Sequence, residues 1–530
     1  MAKPKIAVFS GPTATIANSP TLVTSNKGRL PGEREIAGRY DHLVAQLLHE
    51  PVTIKIRKHS AHPLEEDAKA VYHDDGNDYY EVELRPEDGP YLLPYMARRA
   101  NGSGKGAPFE DGDLLDPALE FGGRQFFYPD ASRIFADIDR TISGRDEHGA
   151  PNILERQADY EFIRALPPSG YTAEGEVAGK DYFPYKPYAI SRRSRYRDLA
   201  RVTNTVQSCL ASGQYAGGLW LEGSPTVEET TYWLSMLIDT NLPIAGIAAQ
   251  RPHGQLANDG DRNIVDAVEY VLSGQGNGLG AVGVQDERIY AAREFKKADD
   301  RPGNYKATGG HGGILGTVGP PVTIWYKPNY QHTAASDVNL SRLPQDLVFQ
   351  DTANTASATT VQIKNPDGTL RPNCIPRVSI VKYGSYMDED DTQNPDDEVD
   401  IIARIQKALA DQGTADGSRP QMHGLVLEGT SPYGMGSGSQ MAALAIATFS
   451  GLPVVRVGRA DPGGRVPADR GGHTIAGSNL DANKARLLLM AAMMKLGRLP
   501  KAEQPRNPSR KEQDAVAAKL AEYQQIFENH

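Results

Sequence analysis

Apolar and polar positions alternate regularly in two regions of the chain that share one grammar. The stretches before and between those regions do not follow it. The first strand is expected at Lys5 to Phe9, followed by the turn Ser10-Gly11-Pro12 and the small-residue run Thr13 to Ala17. From about Asn26 to Pro187 the pattern loosens into Tyr, Arg, Asp and Gly with few apolar periods. A helix is expected there near Glu33 to Leu48, where Ile36, Tyr40, Leu43, Leu47 and Leu48 recur at helical spacing, and a strand at Val52 to Ile56. The rest reads as an elaborated insertion with long loops.

Regular alternation returns near Tyr196. Asp198 to Leu210 predicts a helix, Gly218 to Leu221 an apolar strand, Thr226 to Ile238 a second helix and Leu242 to Ile247 another strand. Farther on, a strand at Gly424 to Leu427, a helix at Gln440 to Phe449 and a strand at Leu452 to Val457 repeat the order. The stretches GLWLEGS and GLVLEGT, each followed by a helix and then Leu-Pro with an apolar strand, are internally similar β-α-β units. Such alternation predicts parallel sheets covered by helices through right-handed crossovers. Ligands bind such sheets beyond the carboxyl ends of the strands. A polar linker, about Asn329 to Pro376, separates the halves and carries a turn at Asn365-Pro366-Asp367-Gly368. Lys511 to Phe527 predicts a terminal helix.

Bulk properties narrow the function. A chain of 530 residues exceeds one ordinary core, and 39% hydrophobic with 23% charged residues is a globular composition. A formal charge of −10 argues against a nucleic-acid partner, since phosphate contacts need clustered Lys and Arg. The two cysteines, Cys209 and Cys374, adjoin no second thiol, which argues against a disulfide framework or a Cys-rich metal site. His59, His62 and His73 lie near Asp74 and Asp75 without a metal-binding helical spacing, so neither a metal nor a cofactor is expected. The opening MAKPKIAVFSG lacks the apolar stretch and cleavage site of a secretory signal. No run of about 18 apolar residues suggests a membrane span. A cytoplasmic protein without a membrane partner is the expectation.

Three apolar strands end in small hydroxyl-bearing turns: Pro12 to Thr15, Gly223 to Thr226, and Gly429 to Ser431. A fourth segment, Ala291 to Lys297, places two lysines after the strand Ala281 to Val284. A hydroxyl nucleophile needs a group to take its proton and N–H donors for the oxyanion. A lysine fills the first role when burial or nearby charge lowers its pKa. Taken singly, strand-end Ser and Thr are more often turn or cap residues, and a Lys-Lys pair is more often solvated surface.

Their order and context resemble the bacterial-type L-asparaginase/glutaminase family. IAVFSGPTATIA is similar to the family's first strand and TGGTIA motif, which places Thr15 on its primary threonine nucleophile. LEGSPTVEETTYWLSMLIDTNLPIAGIAAQRPHGQLANDGDRNIVDAV resembles the family's HGTDTMEET segment and its continuation, with Glu228, Glu229, Thr230, Arg251, Pro252, Asp259, Gly260, Asn263 and Ala267 in register. AVGVQDERIYAAREFKKADDRPGNYKAT resembles the strand and loop of the catalytic lysine, which would be Lys297. GLVLEG, LPVVRVGR and HTIAGSNLDANKARLLLMAAM look like the family's small domain. The resemblance implies an α/β, two-domain fold, with a larger N-terminal parallel-sheet domain (1–328), a linker (329–376) and a smaller Rossmann-like C-terminal domain (377–530). It further implies a homodimer or homotetramer.

The departures fall inside the implied site. The family's His-Gly-Thr-Asp-Thr reads here Glu222-Gly223-Ser224-Pro225-Thr226. Ser224 keeps a hydroxyl, but Pro225 cannot replace the aspartate that orients the lysine and binds the substrate ammonium. Glu222 is the candidate to restore that charge, with Thr226 beside it. Ser191 and Ser194 are the candidates for the serine that binds a substrate carboxylate. The expectation is therefore an amidohydrolase of a small amide, with Thr15 attacking, Ser224 and Lys297 relaying the proton, and a modified or cyclic amide as substrate. An asparaginase proper, or a binding protein that kept the fold and lost catalysis, are the alternatives.

Overall fold

The structure is a computed structural model. It describes residues 5–10, short strands between 43 and 162, and residues 196–530 apart from breaks at 225, 251–258, 302, 320, 352–353, 387–391, 412–420, 461–462 and 469–471. The fold is α/β, as the alternation predicts, and its described residues rest on two larger sheets with several two-stranded ones.

The larger sheet starts from β1 (Lys5–Ser10), which pairs in parallel with β7 (Gly217–Leu221) from Ile6↔Gly217 to Ser10↔Leu221. The long intervening segment thus leaves β1 and returns to its neighbour. A two-residue strand, β6 (Glu161–Phe162), pairs in parallel with the other edge of β1. Parallel pairing continues through β8 (Ile244–Ile247) and β9 (Ala281–Gln285). Strands β7, β8 and β9 are buried throughout, as a parallel sheet covered on both faces requires. On one face, Leu219, Leu221 and Ile247 meet Ile264, Ala267 and Val268 of α3 (Gly260–Leu272). On the other, Ala7, Phe9 and Trp220 meet Val202 and Val206 of α1 (Asp198–Ala211) and Leu234 of α2 (Val227–Leu237).

The sheet then departs from the expected all-parallel form. Asp286 (φ 50°) and Glu287 (φ 62°) form a tight reversal, the left-handed pair that a two-residue hairpin needs. It returns β10 (Arg288–Ala291) antiparallel to β9. Downstream of the small hairpin β11 (Phe295–Lys297) and β12 (Tyr305–Ala307), strands β13 (Ile314–Thr317) and β14 (Thr323–Ile324) add antiparallel edges. Among the described residues the sheet has eight strands in the order β14-β13-β10-β9-β8-β7-β1-β6.

Within the insertion, β2 (Leu43–Gln46) pairs antiparallel with β5 (Tyr91–Pro94), and β3 (Val52–Arg57) with β4 (Tyr79–Leu84). Leu43 to Gln46 therefore forms strand rather than the end of a helix. Pairing opposite Leu92 and Leu93 outweighs the weak helical period there. The rest of that expected helix lies outside the described residues.

The described residues of the polar linker take up regular structure. The linker contains the antiparallel hairpin β15 (Asp346–Asp351) and β16 (Asn354–Gln362), and the turn at 365–368 closes through Gly368 at φ 83°. Its apolar residues Val338, Leu343, Ile363, Leu370 and Ile375 join one core with the C-terminal half. That half is a four-stranded parallel sheet, β17 (Arg377–Lys382), β18 (His423–Gly429), β19 (Val454–Gly458) and β20 (Ile475–Ala476), in chain order. Helices α4 (Val399–Asp411) and α5 (Gly438–Phe449) cover one face. Helices α6 (Ala482–Leu496) and α7 (Arg510–Asn529) cover the other. Cys209 and Cys374 are free thiols, both buried. No helix of the described residues is long and apolar enough to cross a membrane.

Candidate active site

The carboxyl end of β7 leads into α2 through Glu222 to Thr226, the segment that holds the candidate residues. Ser224 is half-buried. Its Oγ accepts hydrogen bonds from Tyr305 Oη at 2.9 Å and from Gln250 Nε2. Gln250 is held in turn by Asp259, whose carboxylate accepts from the Gln250 backbone N–H at 2.9 and 3.2 Å.

Lys297 lies on β11 directly opposite Tyr305 on β12. Its Nζ donates to the carbonyls of Arg301 and Gly303, inside the same hairpin, and stands 5.5 Å from the centroid of the Tyr305 ring. The expected direct Ser224–Lys297 pair is thus not formed. The structure gathers both residues around Tyr305 instead. The Tyr305 ring stacks on Phe295 at 4.8 Å, and burial holds the phenol well above its ordinary pKa, so it stays protonated as a donor.

A second layer fixes the lysine hairpin. Glu228, in the first turn of α2, accepts from the Lys297 backbone N–H at 2.5 Å. Lys484, at the start of α6, is fully buried, and its ammonium donates to the carbonyls of Ala292 and Arg293 at 2.9 Å each and of Phe295 at 2.5 Å. Burial lowers the Lys484 pKa, while Asp481, Glu228 and Glu294 oppose that shift. Burial raises the pKa of Glu228, and Lys484 is the first of the cations that pull it back. Arg486, two residues on, pairs with Glu229 at 2.8 Å, where burial likewise raises the carboxylate pKa. The C-terminal half therefore grips both the α2 turn and the strand that carries Lys297.

Glu222 faces elsewhere. Its carboxylate, 1% exposed, accepts from Trp220 Nε1 at 3.1 Å and Thr230 Oγ1 at 3.2 Å. These bonds point it along the Trp220 face of the strand rather than into the hydrogen-bond set of Ser224. Thr226 is the residue preceding α2, and its hydroxyl reaches the Gly223 carbonyl at 3.5 Å. It lines a cavity of about 680 Å³, shared with Tyr196, Trp220, Glu229, Arg377 and Arg486. Thr15, Ser191 and Ser194 lie outside the described residues, as do His59, His62 and His73. Among the described residues no group of three or more His, Cys, Asp and Glu side chains could hold a metal ion.

Sequence reasoning missed Tyr305, Gln250 and the role of Lys484. For Tyr305 the available signal was the spacing of Lys297 and Tyr305 around the turn-forming Asp299 to Asn304, which lets a hairpin pair them. No local signal marks Gln250.

Residues 179–304 match the Asparaginase family in its N-terminal domain (Asparaginase, N-terminal). The chain is 25% identical over 305 residues to the glutaminase-asparaginase of Acinetobacter glutaminasificans, covering 56% of this chain and 76% of that protein. It is 25% identical over 339 residues to L-asparaginase 2-1 of Saccharomyces cerevisiae, covering 63% and 77% respectively. The crystal structure of the probable cytoplasmic L-asparaginase from Campylobacter jejuni aligns with a TM-score of 0.43 at 22% identity, over 62% of this chain and 82% of that one.

Proposed function

We propose that this chain, a divergent relative of the asparaginase family, hydrolyses the C–N bond of a small neutral amide through an acyl-enzyme on Thr15. The observation that carries the reading is the gathering of Ser224 and Lys297 around Tyr305 at the carboxyl end of β7. A strand end of this kind is where α/β sheets bind ligands. In the reaction the Thr15 oxygen bonds to the substrate carbonyl carbon, and the C–N bond breaks with its electron pair leaving on nitrogen. The proton released from Thr15 replaces the one delivered to that nitrogen through the Ser224–Lys297 relay. Water then hydrolyses the threonine ester.

The substrate class follows from charge. Pro225 stands where an aspartate would hold an amino-acid ammonium, and the Glu222 carboxylate is engaged by Trp220 and Thr230. An unpaired ammonium in a dry site costs several kcal/mol. A modified or cyclic amide, such as an imide or a hydantoin-like ring, carries no such charge. The reading of an asparaginase or glutaminase proper is favoured by one finding, the names of the similar proteins from Acinetobacter and yeast.

One panel separates these readings. Purified full-length protein is assayed for ammonia release from L-asparagine and L-glutamine, and for acid release from succinimide and hydantoin. Turnover of the rings above that of the amino-acid amides is expected, with a loss of at least about a thousandfold in Thr15→Ala at unchanged melting temperature. Faster turnover of L-asparagine overturns the substrate class. Full activity of Thr15→Ala overturns the mechanism.

A further inference from the structure

The hydrogen bonds around Ser224 carry a consequence for the direction of its proton. A serine hydroxyl has one proton to give and two lone pairs that accept. Tyr305 Oη and Gln250 Nε2 both donate to Ser224 Oγ, which fills the two acceptor positions. The Ser224 proton is then left to point at a third partner. Tyr305 is built to hold its side of this arrangement. Its ring is stacked on the fully buried Phe295 at 4.8 Å and lies 5.5 Å beneath the Lys297 ammonium, while its backbone is paired opposite Lys297. The Gln250 backbone is held by Asp259, whose carboxylate accepts its N–H.

We propose that Tyr305 is a positioning residue for the hydrolysis, which together with Gln250 makes Ser224 a one-way proton donor toward the leaving nitrogen. The inference rests on the amidohydrolase reading above. As the C–N bond breaks, its electron pair stays on nitrogen and the nitrogen takes the Ser224 proton. The proton that Thr15 releases on bonding to the carbonyl carbon replaces the one lost from Ser224, so the site returns to its starting charge. Tyr305 exchanges no proton with substrate or nucleophile in this scheme. It acts by occupying a lone pair that would otherwise let the Ser224 hydroxyl rotate and point its proton away from the substrate.

Tyr305→Phe tests this, because it keeps the ring, the Phe295 stack and the hairpin and removes one oxygen. On whichever of L-asparagine, L-glutamine, succinimide and hydantoin the wild type turns over fastest, kcat is expected to fall about 10- to 100-fold, no more than the lower bound of what a positioned proton donor itself contributes. KM should stay within about twofold. In a Ser224→Ala background the same change should alter kcat by less than about twofold, since coupled residues are non-additive. If Ser224→Ala falls below detection, Ser224→Cys takes its place, because a thiol accepts only weakly. Unchanged kcat in Tyr305→Phe overturns the inference, and so does an equal loss in both backgrounds, which would mark a structural role. A wild type inactive on all four compounds sinks the amidohydrolase reading itself. A wild type whose activity depends on Thr15 but ignores Tyr305→Phe sinks only the role of Tyr305.

Discussion

Lys484→Met probes the joint between the two halves. The lysine ammonium is fully buried and holds the carbonyls of Ala292, Arg293 and Phe295, the last of them two residues before Lys297. Asp481, Glu228 and Glu294 surround it with negative charge. Methionine keeps most of the volume and flexibility of the stem but removes the charge and all three donors. Each bond to a charged group contributes about 1.5–3 kcal/mol, but the three share one ammonium and do not add. Breaking a buried ionic set by removing one partner costs about 3–5 kcal/mol. A destabilisation of about 4 kcal/mol is therefore expected. Urea unfolding followed by tryptophan fluorescence reads it, since Trp220 and Trp233 are fully buried in the N-terminal half beside this joint. The midpoint should fall while the slope stays constant. Turnover per folded molecule should fall too, because the strand that positions Lys297 loses its anchor. A destabilisation below about 1 kcal/mol would refute the reasoning and show that water or a rearranged backbone satisfies those carbonyls.

Two further predictions concern the same scaffold. The His530 ring is buried against Ser336 Oγ at 3.0 Å and the Ile526 carbonyl at 3.1 Å, and burial lowers its pKa from 6.5 to about 4. A depressed native pKa stabilises fully above 6.5, and that contribution, roughly 3 kcal/mol, is lost as pH falls from 6.5 through about 4. His530→Gln should flatten this part of the acid-unfolding curve, and a slope equal to wild type would contradict the assignment. Gly283 faces the ring that supports Tyr305, and a Cβ there would stand 2.5 Å from Phe295 Cδ1. Gly283→Ala should cost about 1–3 kcal/mol by overpacking and lower kcat as Phe295 shifts under Tyr305. Wild-type melting and turnover would contradict it.

Much of this architecture was legible in the pattern of residues. Gly217 to Leu221 is apolar at every position, which marks a strand buried on both faces, and the helices on either side declare themselves by period. What the pattern did not disclose was set by non-local partners. Leu43 to Gln46 follows its cross-strand neighbours rather than its local period. The larger sheet ceases to be parallel because two residues, Asp286 and Glu287, take left-handed backbone angles that neither side chain advertises.

The site divides in the same way. Ser224 and Lys297 were legible as candidates because they follow apolar strands in a recognisable order. Their actual relation depends on Tyr305, whose hydroxyl reaches Ser224 only once the hairpin closes and β9 lies beside β8. The direction of Glu222 was not read from the sequence; it follows the strand's own geometry, in which residues two apart share a face and Trp220 precedes it by two. Lys484 stood in a quoted segment without a role, because its partners are backbone carbonyls about 190 residues away.

The most direct measurement is the mass of the Thr15 peptide. Protein mixed with succinimide is quenched in acid during turnover, digested, and its peptides are weighed. A threonine nucleophile predicts that the peptide bearing Thr15 gains one ring-opened substrate, and that Thr15→Ala protein shows neither this adduct nor turnover. An adduct on the peptide bearing Ser224, or steady turnover by the Thr15→Ala protein, would contradict it.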